Sequence, residues 1–347
     1  MKALVKYAEG KNNMEIRDVP EPFPGENEVK IEVKATGICG SDIHIYEYDI
    51  GIPMKLPVVT GHEFSGVIVE KGKNVSGFAI EDKVTAETTF RTCGICRHCL
   101  LGNYNLCLKR EGIGYWHNGA FTKYIIIPSE KVHILPEPIS FKEGAMIEPL
   151  ACVVNGTMEV INIKASDRVL VIGPGTIGLL ALQVARANGG LVTVAGVSKD
   201  EERLKIAKKL GADYILNVDQ DKVGLKKEIA RITNNEMFDV VLECSGAEPA
   251  ANFGLEVIRR RGKYSQIGLF GRPIKIDFEK ISYKELTVKG SFSQKWNCWD
   301  RAIRLIESNK VQLKPLISDV FPLNNWKIAF DKFRNKEGLK ILLTPFE

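Results

Sequence analysis

The sequence predicts an α/β protein of two parts, a β-rich part and a doubly wound parallel sheet covered by helices. The chain has 347 residues, beyond the length at which one hydrophobic core keeps growing, so two domains are expected. Over residues 1–150, short alternating segments such as 29–33 and 67–69 are separated by glycine and proline, which is an all-β pattern. From about Asp167 the order becomes strand, glycine turn, helix, strand, with residues 168–172, 173–178, 179–187 and 191–195 in those places. That alternation calls for a parallel sheet with crossover helices.

Further strands are expected at 239–242, before Glu243-Cys244-Ser245-Gly246, and at 262–267, before Gly268. An amphipathic helix is expected at 299–308, and the tail should fold back on the first part. The expected division is therefore 1–150 with 290–347 as one domain, carrying a lobe at about 90–110, and 151–289 as the other. A content of 44% hydrophobic and 26% charged residues suits an ordinary soluble protein. No apolar run approaches the ~20 residues of a spanning helix, and the start, Met1 to Tyr7, has no apolar signal region. A cytoplasmic protein with no membrane partner is the expectation. The formal charge of +5 is spread along the chain, with Lys and Glu interleaved over 200–209. A nucleic-acid surface would need clustered basic residues, so that class of partner is set aside.

Four of the eight cysteines fall within fifteen residues, as Cys93-x2-Cys96-x2-Cys99-x7-Cys107. Such spacing can wrap one tetrahedral ion, and a closed shell of four sulfurs leaves no position for substrate, so a structural zinc is expected here. Free thiols and an iron–sulfur cluster are the competing readings. A second constellation is dispersed: Cys39-Gly40-Ser41-Asp42-Ile43-His44, then Gly61-His62-Glu63, then Ile147-Glu148-Pro149-Leu150. A thiolate, an imidazole and an acid are the donors of a catalytic zinc that keeps one position open. Taken singly, Cys39 reads as a small core residue, His62 as a capping side chain and the acids as solvated.

Gly173-x-Gly175-x-x-Gly178 follows the apolar run Val169-Leu170-Val171-Ile172 and opens a helical pattern at Thr176 and Ile177. In that setting the glycines permit a tight turn, close approach of a pyrophosphate and helix-to-strand packing, the mark of a Rossmann-type dinucleotide site. The free N–H groups of the helix would face the phosphates. Ser245, Gly246, Ile267 and Gly268, after later strands, are expected to touch the same cofactor. The acid that holds a ribose 2′-hydroxyl is expected ~20 residues on; that region reads Val194-Ala195-Gly196-Val197-Ser198-Lys199-Asp200. Gly196 removes an anion that would repel a 2′-phosphate, and Ser198, Lys199 and Arg203 can donate to it. The balance favours NADP over NAD, with Asp200 keeping the NAD reading open.

In their order, the Cys39 to His44 segment, Gly61-His62-Glu63-Phe64-Ser65-Gly66, the four-cysteine lobe and the glycine turn resemble the zinc-containing medium-chain alcohol dehydrogenases. The resemblance runs over essentially the whole chain. It is strongest to the polyol branch, sorbitol (L-iditol) and butanediol dehydrogenases, because Glu148-Pro149-Leu150-Ala151 stands where ethanol-type enzymes have a cysteine. His44-Ile45-Tyr46 also resembles the L-threonine 3-dehydrogenases. The resemblance implies a GroES-like β-rich catalytic domain plus a Rossmann domain, with two zinc ions per chain. It implies Cys39 and His62 as ligands of the catalytic zinc, with Glu63 and Glu148 competing for the remaining protein position. Ser41 and His44 then match a proton relay, and Glu148 a catalytic acid. The implied reaction is reversible hydride transfer, in the cleft between domains, from a secondary alcohol of a small polyol to a nicotinamide dinucleotide.

A homotetramer or homodimer is implied by the same likeness. Pocket walls are expected from Phe90, Tyr115 and Phe292, with Tyr46 or Glu148 meeting a second substrate hydroxyl. The alternatives are an L-threonine 3-dehydrogenase, a sugar or sugar-phosphate dehydrogenase, a zinc-free quinone reductase and a non-catalytic NADPH-binding protein. The quinone reductase would lack both metal segments, and the non-catalytic relative would have a damaged Cys39, His62 and Glu148 set.

Overall fold

The strand Glu28–Gly37 organises the first half of the protein, because its β-branched residues Val29, Ile31 and Val33 alternate into a core completed by Phe64, Ile68, Val84, Ile125 and Ile127. Alternation of this kind buries one face of a pleated strand. The structure, a computed structural model, describes residues 1–49 and 51–345. It divides into one unit of Met1–Ala151, Ser293–Glu307 and Leu313–Glu347, and a second of Cys152–Phe292 and Ser308–Gln312.

In the first unit a seven-stranded sheet runs in the order Val132–Ile134, Lys83–Ala86, Glu63–Lys71, Glu28–Gly37, Lys340–Thr344, Ile317–Pro322, with Tyr124–Pro128 also paired to Glu28–Gly37. Glu28–Gly37 is antiparallel to Glu63–Lys71, with Gly37 opposite Glu63, and antiparallel to Lys340–Thr344, with Gly37 opposite Leu342. This register decides the site. The chain leaving Gly37 runs on beside the chain entering Glu63, which brings Cys39 alongside His62 across 23 positions of sequence. The tail strand brings Lys340 to the same end of the sheet. The expected 299–308 helix is found as Trp296–Glu307, with Cys298, Trp299 and Ala302 on its buried stripe.

In the second unit six strands are all parallel, in the order Tyr214–Asn217, Leu191–Gly196, Arg168–Ile172, Phe238–Glu243, Ile258–Gln266, Thr287–Gly290. Strand order reverses between Arg168–Ile172 and Phe238–Glu243, and ligands of such sheets bind beyond the carboxyl ends of the strands at that point. The helix Thr176–Ala187 buries a continuous run from Gly178 to Ala185 against this sheet. Phe238 is fully buried in the core of this unit, among Leu170, Val241, Leu255 and Ile258. Phe238→Ala is expected to lower the stability of this unit by about 3–5 kcal/mol, read from the denaturant midpoint. A midpoint shift of less than a third of that size would show that this core is not packed as described.

Candidate metal centres and dinucleotide site

The helix Gly40–Glu47 begins directly after Cys39, and Asp42 in its first turn accepts the Cys39 N–H at 2.9 Å. The donor atoms of Cys39, His62 and Glu63 lie within 4.8 Å of one another. His62 is buried with its ring against Tyr115 at 5.5 Å between centroids, and its Nε2 lies 3.4 Å from Ser41 Oγ. Its Nδ1 stands 3.7 Å from Asp42 Oδ1, and both atoms are buried without a hydrogen-bond partner. Buried orphan polar atoms of this kind call for an explanation. A sulfur, a nitrogen and a carboxylate oxygen at one point fit a zinc ion. An imidazole that binds a metal through one nitrogen turns the other toward a carboxylate, which is the relation of His62 to Asp42.

Electrostatics at this point is dominated by buried acids. Burial raises the Asp42 carboxyl to about 6, against the opposing pull of His62. Burial alone would discharge His62, but Asp42 and the Cys39 sulfur outweigh it and raise its pKa to about 10. A cation held by the same donors would displace that proton. Glu63 is ion-paired with Lys340, whose Nζ also donates to the Ile38 carbonyl at 2.9 Å. Burial tends to lower the Lys340 pKa, and the Glu63 charge overcomes this and raises it.

The structure brings together Cys39, His62 and Glu63, and places Glu148 outside that group of three. Glu148 is buried, and its Oε1 accepts Thr88 Oγ1 at 2.7 Å and Gln294 Nε2 at 2.8 Å. Burial raises its pKa, opposed by His62. Ser41 sits at the His62 ring, whereas His44 turns its Nδ1 to Asp49 at 2.8 Å near the surface. Of the expected pocket walls, Tyr115 adjoins His62, Phe90 stacks on His117 at 3.8 Å, and Phe292 is an exposed side chain of the second unit. Tyr46 packs edge-on against Trp326 and Phe330.

In the lobe, the sulfurs of Cys96 and Cys99, of Cys93 and Cys107, and of Cys93 and Cys99 are 3.5, 3.6 and 3.9 Å apart. The edge of a tetrahedron with zinc–sulfur bonds of ~2.3 Å is about 3.8 Å, so the four match a single ion. The Ile95 and Cys96 N–H groups point at Cys93 and lower its thiol to about 6, while burial raises Cys99 to about 11.

In the second unit, Gly173 turns with φ +96°, and a Cβ at Gly178 would overlap the Gly173 carbonyl oxygen. Gly175 caps the helix, and a Cβ there would meet nothing within 4 Å. The open space lies where an anion would approach the helix N–H groups, so the turn fits a pyrophosphate. The Ser245 and Gly246 N–H groups donate to the Glu243 carboxylate at 2.9 and 3.0 Å, and those of Ile267 and Gly268 to its carbonyl at 2.9 Å. The expected contact residues are thus tied to one another at the ends of neighbouring strands. Asp200 accepts the Val197 N–H at 3.1 Å and lies 3.7 Å from an Arg203 nitrogen, so its carboxylate is engaged within its own turn.

Residues 25–137 match the alcohol dehydrogenase GroES-like domain and residues 176–308 the zinc-binding dehydrogenase domain. Sorbitol dehydrogenase of Halalkalibacterium halodurans is 46% identical over the full length of both chains. The chain belongs to the zinc-binding dehydrogenase family. D-arabitol-phosphate dehydrogenase of Enterococcus avium is 40% identical, over 99% of this chain and 97% of that one. A solved structure from Sinorhizobium meliloti, described as a zinc-binding dehydrogenase bound to NADP, superposes with a TM-score of 0.89 at 28% identity, covering 99% of each chain. The GroES-like and Rossmann parts expected from the sequence are accordingly the architecture of this dehydrogenase, an NAD(P)-linked zinc oxidoreductase.

Asp42, Thr88, Gln294 and Lys340 of this dehydrogenase join the site without being among the donor and relay residues that mark it in the sequence. Asp42 carried a signal, lying three residues after Cys39, where a first-turn side chain can reach back to a backbone N–H. Thr88, Gln294 and Lys340 carried none, because only the fold brings them to the acids they bond. Gly178→Ala is expected to abolish NAD(P)H binding, measured by fluorescence titration, while leaving the metal content of the lobe unchanged. Retained binding would remove the phosphate role of the turn.

Proposed function

We propose that this zinc-binding dehydrogenase oxidises a secondary alcohol of a small polyol to a ketone, reversibly, with a nicotinamide dinucleotide as hydride acceptor. The observation that carries the reading is the meeting of Cys39, His62 and Glu63 donor atoms at one point, with the buried Glu148 carboxylate acting on His62 and Glu63. A bound zinc would supply Lewis acidity that makes a substrate hydroxyl easier to deprotonate. Cys39 and His62 would hold the ion, with Glu63 or Glu148 completing the protein share. Ser41 Oγ, beside His62 and near Tyr115, would take the hydroxyl proton while releasing its own, and His44, three residues further along the same helix and near the surface, would carry a proton to water. Asp42 and Lys340 orient His62 and Glu63 without touching substrate.

The polyol class is supported by Glu148 in place of the cysteine of ethanol-type enzymes, and by full-length likeness to a sorbitol and a D-arabitol-phosphate dehydrogenase. Phosphate esters therefore belong in the substrate screen. The dinucleotide is NADP or NAD: Gly196 brings no acid to its own strand end and Asp200 bonds its own turn, which favours NADP, whereas Asp219 of the neighbouring segment stands beside Ser198 and opposes it. The exposed Ile95, Leu100 and Leu108 of the lobe support a homo-oligomer, a dimer or tetramer. No helix among the described residues is long and apolar enough to cross a membrane, and the grouping of cysteines as metal ligands rather than bridges supports residence in the reducing cytoplasm.

Metal analysis should give two zinc ions per chain, with reduced nicotinamide appearing at its absorbance band when sorbitol, xylitol, butanediol or their relatives are supplied. Cys39→Ser is expected to remove one zinc and cut kcat at least 10³-fold, on the scale of a lost Lewis acid, with the fold intact by circular dichroism. Cys96→Ser should remove the other zinc and mainly lower Tm. An active Cys39→Ser enzyme would overturn the site assignment, and turnover confined to L-threonine would overturn the substrate class.

A further inference from the structure

The strand Leu191–Gly196 ends without the acid that usually meets the ribose 2′-oxygen of a dinucleotide, but its neighbour returns one to the same place. Gly196 pairs with Asn217, and the Val218 N–H donates to the Gly196 carbonyl at 2.9 Å, so the two chains leave the sheet side by side. Two residues on, the Ser198 N–H donates to Asp219 Oδ2 at 2.8 Å. Asn217 locks the arrangement: its Oδ1 accepts the Asp219 N–H at 3.0 Å and its Nδ2 donates to Ser198 Oγ at 3.1 Å. A carboxylate from the turn that follows the Tyr214–Asn217 strand thus sits against the backbone of the segment expected to meet the 2′-oxygen.

We propose that Asp219 is the residue that sets how this enzyme discriminates NADP from NAD. The inference rests on the dinucleotide reading of the glycine turn. Of the two Asp219 oxygens, Oδ2 takes the Ser198 amide and the other is left to accept a ribose 2′-hydroxyl. A 2′-phosphate brought to the same place meets a fixed negative charge. It also finds the Ser198 N–H already bonded, and Arg203 already facing Asp200 at 3.7 Å. The cations of this segment, Lys199 and Arg203, therefore act against a carboxylate that the sequence of their own strand does not contain. Discrimination is the balance of these charges, and the side chain whose removal tips it is Asp219. Asn at this position keeps the size and one acceptor oxygen for the Ser198 N–H while removing the charge.

The test uses the full chain and probes of the adenosine end alone, so that metal content and turnover do not enter. Adenosine 2′,5′-bisphosphate and AMP are titrated calorimetrically into wild type, Asp219→Asn and the control Asp221→Asn. Asp221 lies two residues further on and caps the next helix through Val223 and Gly224. Asp219→Asn is expected to bind the bisphosphate about tenfold more tightly, an effect that shrinks as salt rises because the surface charge is screened, and to bind AMP no more tightly than wild type. Asp221→Asn should change neither affinity. Unchanged bisphosphate affinity in Asp219→Asn, in a protein whose wild type binds NAD(P)H, would overturn the proposal alone. A wild type that binds no dinucleotide would overturn the reading on which it rests, and an equal gain in Asp221→Asn would assign the effect to overall charge and overturn the role given to Asp219.

Discussion

Negative charge gathered in a dry place is the condition from which the rest of the first unit follows. Asp42, Glu63 and Glu148 are each buried, and the Cys39 sulfur lies among them with His62 and Lys340 as cationic companions. Taking an ionised carboxylate out of water costs several kcal/mol unless a partner compensates. Lys340 compensates Glu63 directly. For the remainder, a divalent ion between Cys39, His62 and Glu63 is the compensation that the donor chemistry fits. Because the ligands must shed protons to bind it, metal occupancy and the protonation of His62 are two sides of one equilibrium.

The sheet supplies the precision that this arrangement needs. Opposing Gly37 to Glu63 and to Leu342 fixes three chain segments at one end of the sheet. A side chain at Gly37 would run into Glu63 and Lys340, so the ion pair and the glycine require each other. A slip of one residue in any of these pairings would turn the donors to opposite faces.

Much of this was legible in the sequence, because the chemistry-bearing residues stand in compact local patterns. The cysteine run, Gly173 to Gly178 and the Cys39 to His44 segment each announce a geometry that neighbouring residues can build alone. What stayed hidden depends on long-range pairing. Lys340 is 277 residues from Glu63, and Gln294 is 146 from Glu148. No spacing rule reaches across such intervals. Asp200 stands near the right place in sequence, yet its carboxylate bonds its own turn, and the acid beside Ser198 comes from the turn after the next strand. Periodicity located the strands well, but it says nothing about which side chain crosses from one strand end to another.

The cysteine lobe is stitched to the segments that hold Glu148. Tyr104, between Cys99 and Cys107, donates its hydroxyl to Glu87 at 2.9 Å and accepts the Trp296 N–H. Arg110 donates to Thr89 at 2.8 Å and to Ser293 at 3.1 Å, and Ser293 donates to Gln294 at 2.6 Å. Thr88 and Gln294, the partners of Glu148, are thus each next in sequence to residues that the lobe grips. A protein engineer who trims this loop to make a smaller enzyme removes two of the clamps on the acid's neighbours along with the cysteines. Conversely, transplanting the lobe into a scaffold that lacks it brings no catalytic gain unless Glu87, Thr88, Thr89, Ser293 and Gln294 travel with it.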